Sequence, residues 1–173
     1  MLERIFRAIR LDKVFYREVA DDPSLDTESV LIVILVSVIS SLGTLTGQEG
    51  SWLAYIGAVA NSILLGWLLW AVVAWFVGKH VLDGEGSLSG MLRGLGYASA
   101  PRLLGIFGGL PIIGWIFSLA GGILSLIAGI IAIREGMSVD TGKAIIIALL
   151  GGLFYIAVSV LIGVLSLPLK IVF

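Results

Sequence analysis

Residues 103–133 read LLGIFGGLPIIGWIFSLAGGILSLIAGIIAI, with no charged side chain before Arg134. As one straight helix this stretch would be about 46 Å long, which exceeds the roughly 30 Å of hydrocarbon in a bilayer. The sequence Gly108-Gly109-Leu110-Pro111 inside it is typical of a helix break. We therefore predict two membrane segments here, one over residues 97–110 and one over residues 112–133.

The rest of the 173-residue chain is also rich in apolar residues. Hydrophobic residues make up 58% of the sequence and charged residues 13%, whereas soluble domains have about 45–50% and about 25%. Further apolar runs cover residues 29–46, 52–77 and 144–167, each long enough to cross a bilayer with flanking residues or tilt. We therefore predict an all-α, polytopic membrane bundle of about five transmembrane helices over residues 29–167, followed by a short outer tail at 168–173.

The N-terminal segment, residues 1–28, is charged. It holds five Lys or Arg residues and seven Asp or Glu residues, and it lacks the apolar run of a secretory signal. Its apolar residues follow helical spacing with a phase shift near Asp12. We predict an amphipathic N-terminal helix that lies in the headgroup layer or packs on the bundle. The alternative is a docking site for a partner.

The distribution of the cations predicts the topology. With five crossings, ten of the eleven Lys and Arg residues fall on the side of the N-terminus, and only Lys170 falls on the other. If residues 97–110 were re-entrant, the ratio would weaken to nine against two. Because cytoplasmic loops carry an excess of Lys and Arg, we predict five crossings with a cytoplasmic N-terminus. We expect the protein to reside in a prokaryotic plasma membrane.

Few residues indicate catalytic or metal chemistry. The chain has no cysteine and a single histidine, His80, so neither a thiolate nucleophile nor a cysteine- or histidine-based metal site is expected. The serines between Gly86 and Gly90 have the wrong offsets for a nucleophile elbow. The net charge of −1 does not favour nucleic acid. We predict a non-enzymatic protein without cofactor or metal, whose partners are membrane lipids. A second copy of the chain or another membrane protein is the alternative partner.

Two polar residues stand out in or near the predicted spans. Asn61 lies in the second apolar run and is predicted to make a hydrogen bond between helices rather than to hold a substrate. Arg102 is predicted to lie near the cytoplasmic surface, where it reaches lipid phosphates or pairs with Asp22 or Asp83. The residues before it, 87–100, have the apolar spacing of an amphipathic helix on that surface.

The segment Leu95-Gly96-Tyr97-Ala98-Ser99-Ala100-Pro101 resembles the G-Y-[SA]…P signature of the Yip domain family (Ypt-interacting proteins). The order of features from residue 10 to residue 165 resembles that family as well. An aromatic helix at Val14–Glu18 precedes an acidic stretch, a glycine-broken third segment and the turn at Arg134–Ala144. The resemblance implies five spans with a cytoplasmic N-terminus. It assigns a family or interaction motif to these residues: Gly96, Tyr97, Ser99, Pro101 and Arg102.

Members of this family in eukaryotes are linked to vesicle traffic between the endoplasmic reticulum and the Golgi, and they bind prenylated Rab-type GTPases and one another. This sequence has neither their long N-terminal region nor their D-L-x-G-P motif, and only Asp21-Asp22-Pro23 stands near that position. The resemblance therefore implies a compact, prokaryotic-type member, to which the GTPase role is not carried over. We expect a membrane scaffold or adaptor with a cytoplasmic interaction face formed by the N-terminal helix and residues 87–102. The alternative is a small transporter, channel or lipid-handling protein that uses the helix break at Gly108, Gly109 and Pro111.

Overall fold

The structure, a computed structural model, describes residues 1–45, 51–109 and 112–172. All regular elements in these ranges are helical, so the predicted all-α class is confirmed. Three 3-10 segments cover Pro23–Leu25, Leu42–Leu45 and Ala100–Gly109. Seven longer helices follow one another along the chain: α1 Leu2–Ile9, α2 Lys13–Asp21, α3 Asp26–Ser40, α4 Trp52–His80, α5 Leu88–Ala98, α6 Gly114–Met137 and α7 Thr141–Val172.

Four helical segments are long and apolar enough to cross a membrane: Pro23–Ser40, Trp52–His80, Gly114–Met137 and Thr141–Ile162. A bundle with several such helices is an integral membrane protein, as the composition predicts. The fifth predicted span, over residues 97–110, stays a prediction.

The chain between α4 and α6 runs antiparallel to α6. Gly94 of α5 faces Ala132 near the C-terminal end of α6. At the other end, the rings of Phe107 and Phe117 lie 5.3 Å apart. The eleven-residue α5 and the ten-residue 3-10 segment together extend about 36 Å. Neither α5 nor the 3-10 segment is long enough to cross the bilayer alone, but the two together are.

One end of the bundle, which we call the charged end, gathers most of the ion pairs. Lys143 at the start of α7 donates to the carbonyl oxygen of Leu82, just after α4, at 3.0 Å. Arg17 of α2 pairs with Glu135 near the end of α6 at 2.5 Å. The N-terminal helices, the ends of α4 and α6 and the start of α7 therefore lie on the same side.

The N-terminal helices pack on the bundle through buried aromatic residues. Asp12 starts α2, because its carboxylate accepts the backbone N–H of Phe15 at 3.2 Å and the guanidinium N–H of Arg7 at 2.8 Å. These bonds, that of Arg7 foremost, hold the pKa of Asp12 below its usual range. Phe15 and Tyr16 are buried, and the Tyr16 hydroxyl donates to the carbonyl of Ala8 at 3.2 Å. Both N-terminal helices are thus fixed parts of the fold.

The surface helix predicted over residues 87–100 is instead a core helix, α5. Ser87 caps it, since its hydroxyl accepts the N–H of Gly90 at 3.0 Å. Three of its glycines let neighbouring backbones approach closely. A Cβ at Gly90 would lie 2.7 Å from the carbonyl oxygen of Ala20, and one at Gly96 would lie 3.1 Å from the Cβ of Ser29. Small residues allow tight packing between helices in a membrane. Helix α5 is therefore buried in the bundle and does not form the exposed interaction face that the sequence predicts.

Candidate functional site

A groove with polar side chains in its lining opens between α3, α4, α7 and the 3-10 segment, and its inner part reaches α5 and α6. It consists of an open cavity of about 360 Å³ and a narrower inner cavity of about 40 Å³. Ser62, Gly66 and Trp70 of α4 line both cavities together with Arg102. We call it the Arg102 groove. Its other polar residues come from four elements of the bundle: Ser37, Ser40, Ser41, Asn61, Ser99, Ser125 and Tyr155.

Arg102 lines the groove far from the charged end. The backbone at Pro101 and Arg102 packs on Gly121, where a Cβ would lie 2.8 Å from the Pro101 carbonyl oxygen. Gly121 is thirteen positions before Arg134 in α6, about 20 Å along the helix, and about 10 Å from its first residue, Gly114. Arg102 is therefore separated from the cations of the charged end, and its location relative to the cytoplasmic surface stays a prediction. The 3-10 segment brings the backbone of Arg102 to the level of Gly121, within the uncharged stretch of α6.

The Arg102 guanidinium has no hydrogen-bond or ion-pair partner in the part of the chain that the structure describes, and the residue is exposed. Of its two predicted partners, Asp22 accepts the backbone N–H of Ser24, and Asp83 lies in the turn after α4. An arginine inside a membrane is costly unless its charge is paired or hydrated. An anion or water in the groove would offset this cost.

Several hydroxyl groups of the groove already form hydrogen bonds within the protein. Ser37 of α3 and Ser62 of α4 share a hydrogen bond of 3.0 Å. Ser99 and Ser125 each donate to a backbone carbonyl of α5 at 2.6 Å. Since these protons are used internally, Ser99 and Ser125 contribute acceptors to the groove.

The amide of Asn61 and the hydroxyl of Tyr155 line the open cavity. Neither side chain is hydrogen-bonded to another described residue. In this region the hydrogen bond between helices is made by the adjacent Ser62. Asn61 and Tyr155 therefore offer donors at the entrance of the groove.

Helix α4 is irregular where it borders the groove. Ser62–Leu69 is π-helical, a conformation that is rare and often found at functional sites. Among the described residues, α4 contacts α7 only through its Ser62–His80 part, so Trp52–Asn61 stands apart from α7. The groove is consequently open towards the side of the bundle, where the lipid would be.

The family-motif residues divide between two places. Gly96 and Tyr97 face the charged end, and the Tyr97 ring lies edge-on to Phe15 with centroids 5.1 Å apart. The motif thus connects the N-terminal aromatic helix to the core. The remaining motif residues line or adjoin the groove: Ser99, Pro101 and Arg102.

The predicted helix break lies at the edge of the described chain. Gly108 and Gly109 end the 3-10 segment, and α6 begins at Gly114. Leu110 and Pro111 lie outside the described residues. The role of this break stays a prediction.

Sequence reasoning missed a buried arginine at the charged end. Arg93 is 4% exposed and donates to the carbonyl oxygens of Val19 at 2.8 Å and Ala20 at 2.5 Å. It also pairs with Asp26 at 2.6 Å. The two carbonyls belong to the last turn of α2, where a cation is favourable. The glycines that flank Arg93 were the available signal, since they indicate close packing around it.

Glu135 is a second buried charge that the sequence did not single out. Its side chain is 3% exposed, and it pairs with Arg17 at 2.5 Å and with Arg134 at 2.7 Å. The sequence suggested only the polar end of a span. In the fold, this carboxylate joins α2 to α6, because a buried charge must be paired.

A family model described as the Yip1 domain matches residues 9–162. No curated protein and no solved structure matches the chain. The match confirms the resemblance, and it includes α2, α5 and the elements around the Arg102 groove. Because the model covers most of the sequence, the chain belongs to the Yip1 domain family.

Proposed function

We propose that this protein is a lipid-handling membrane protein, which takes part of a lipid molecule into the Arg102 groove. The observation that carries the proposal is the guanidinium of Arg102, which has no partner among the described residues and lines a groove that is open to the side. Ionisable residues inside a membrane are costly and usually mark a functional site. Of the two readings of the sequence, the lipid-handling alternative fits this geometry better than the scaffold.

The shape of the groove fits an amphiphile. Its volume of about 360 Å³ lies near the lower end of the roughly 300–1,000 Å³ of small-molecule pockets. It is large enough for a headgroup but not for two acyl chains. Two of the helices that border the groove also carry exposed apolar side chains, among them Ile56 and Leu64 on α4 and Leu153 and Ile156 on α7. The chains of a lipid would lie against these helices, with the polar end inside the groove.

A glycine in the groove wall offers a direct test. A Cβ at Gly152 meets no atom within 4 Å, so Gly152→Phe would fill the groove without a clash in the core. Gly122 is equally unobstructed but faces outward on α6, and Gly122→Phe is the matched control. We expect native mass spectrometry to find lipid on the wild type and on Gly122→Phe, and its loss from Gly152→Phe. Equal lipid retention by all three proteins would contradict the proposal.

The second candidate function is a scaffold or adaptor of the Yip type. It is favoured by the outer surface of α1 and α2, where apolar side chains are exposed beside cations. Leu2 and Phe6 are exposed on α1, and Val14 is exposed beside Lys13 at the start of α2. A Leu2→Ser, Phe6→Ser double variant should lose association with anionic liposomes or with a membrane-protein partner. Unchanged association would count against this surface.

We also propose five crossings with a cytoplasmic N-terminus in a prokaryotic plasma membrane. The support is that the cations of α2, α6 and the start of α7 meet at the charged end, as the positive-inside rule expects. We propose a non-enzymatic role as well. Ser99 and Ser125 donate to backbone carbonyls, and His80 packs on the rings of Trp75 and Phe76 instead.

A further inference from the structure

We propose that the Arg102 groove selects a phospholipid and holds it by its phosphate group, which Arg102 binds. This inference rests on the proposed lipid-handling function and names the ligand of the same groove. The lipid would come from the leaflet opposite the charged end.

The charge of the groove favours an anion. Among the residues that line its two cavities, Arg102 is charged and none of the others is an Asp, Glu or Lys. Among the described lining residues, this positive charge has no compensating carboxylate. A planar guanidinium presents two parallel N–H donors to a phosphate, and such charge-assisted bonds are strong where water is scarce.

The neighbouring donors fit a phosphate ester. The amide of Asn61 and the hydroxyl of Tyr155 are not hydrogen-bonded to other described residues, and both line the cavity that Arg102 lines. The Ser62 hydroxyl accepts from Ser37 and keeps its own proton. These groups can donate to ester and phosphate oxygens, which accept but do not donate.

The position of the groove favours the leaflet opposite the charged end. Arg102 packs beside Gly121, about 10 Å of helix from Gly114 and about 20 Å from Arg134. On this half of the bundle, the Trp52–Asn61 part of α4 stands apart from α7. A headgroup could therefore enter sideways while its acyl chains remain in the bilayer. A free phosphate ion would gain nothing from such a lateral opening.

The test compares lipids retained by the full chain after reconstitution in mixed vesicles of phosphatidylglycerol, phosphatidylcholine and diacylglycerol. The variants are Arg102→Gln, Arg102→Lys and Gly152→Phe. Arg10→Gln is a charge-matched control, because Arg10 is exposed at the charged end. Native mass spectrometry counts the lipids, and a thermal unfolding scan checks that each variant is folded.

We expect the wild type and Arg10→Gln to retain phospholipid but not diacylglycerol. Arg102→Gln should retain at least about tenfold less phospholipid, as expected for loss of a charge-assisted contact. Arg102→Lys keeps the charge but lacks the paired N–H donors of the guanidinium, so it should retain an intermediate amount of phospholipid. If Arg102→Gln does not fold, the difference between Arg102→Lys and wild type decides the question.

Three results would overturn the inference. Phospholipid retention that is equal in wild type and Arg102→Gln would exclude Arg102 as the phosphate ligand. Retention of diacylglycerol as well as phospholipid would exclude phosphate selection. Binding of inorganic phosphate by the wild type, with no phospholipid retained, would identify a soluble anion as the ligand. In the first two cases, loss of lipid from Gly152→Phe would still support the proposed function, whereas normal retention by Gly152→Phe would contradict it.

Discussion

Replacing Arg93 by methionine would measure how strongly the N-terminal helices are held on the bundle. Methionine keeps the apolar stem but removes three hydrogen bonds, two of them to the carbonyls of Val19 and Ala20. Breaking a buried ion pair by removing one partner costs about 3–5 kcal/mol. Asp26 is 58% exposed and regains water, so we expect the lower limit, about 3 kcal/mol. This cost would raise the undocked population of α2 by about a hundredfold.

Hydrogen–deuterium exchange of the amides of Lys13–Asp21, measured in lipid nanodiscs, would report this population. We expect much faster exchange in Arg93→Met than in wild type, with Arg93→Lys in between. Arg10→Met removes an exposed arginine from the turn between α1 and α2 and should exchange as wild type does. If Arg93→Met protected α2 as well as wild type, the reasoning about the buried guanidinium would be refuted.

Three further predictions concern packing and charge. Gly151→Leu should lower the thermal stability strongly, because a Cβ there overlaps the indole of Trp70, whereas Gly152→Leu should not; unfolding scans in detergent would compare them. Glu135→Gln removes the buried partner of Arg17 and should speed tryptic cleavage at that arginine in intact proteoliposomes. Unchanged cleavage would show that the ion pair does not hold α2 on the bundle. The hydrogen bond from the Arg7 guanidinium lowers the folded-state pKa of Asp12. The stabilisation by this carboxylate is therefore complete above its unfolded pKa and is lost as the pH falls through the folded pKa. Protease protection of α2 should fall with acidification in the wild type, and Asp12→Asn should lose this pH dependence.

Composition and local signals predicted the general architecture. The high apolar content and the long uncharged runs identify a helical membrane bundle, because little else satisfies the backbone in hydrocarbon. Residue types that favour helix starts also stand where two helices begin. Asp140 accepts the N–H of Lys143 at 3.0 Å and starts α7, and Ser87 starts α5.

The position of Arg102 and the burial of Arg93 could not be read from the sequence. Arg102 follows a proline and resembles a helix end, and only the 3-10 segment that packs on α6 carries it to the level of Gly121. Arg93 finds its carbonyl partners more than seventy positions away in the chain. Such contacts depend on how helices assemble, and periodicity within one helix carries no information about them.

Labelling of a single cysteine in proteoliposomes tests the central claim most directly, namely that the Arg102 groove opens in the half of the bundle opposite the charged end. The chain has no cysteine of its own, so Asn61→Cys and Lys13→Cys each introduce one unique thiol. We predict that an impermeant anionic thiol reagent labels Asn61→Cys from the side opposite to the one that labels Lys13→Cys, and that adding Gly152→Phe blocks the first reaction. An Asn61→Cys thiol that is unreactive from both sides, or reactive only from the Lys13 side, would contradict the account.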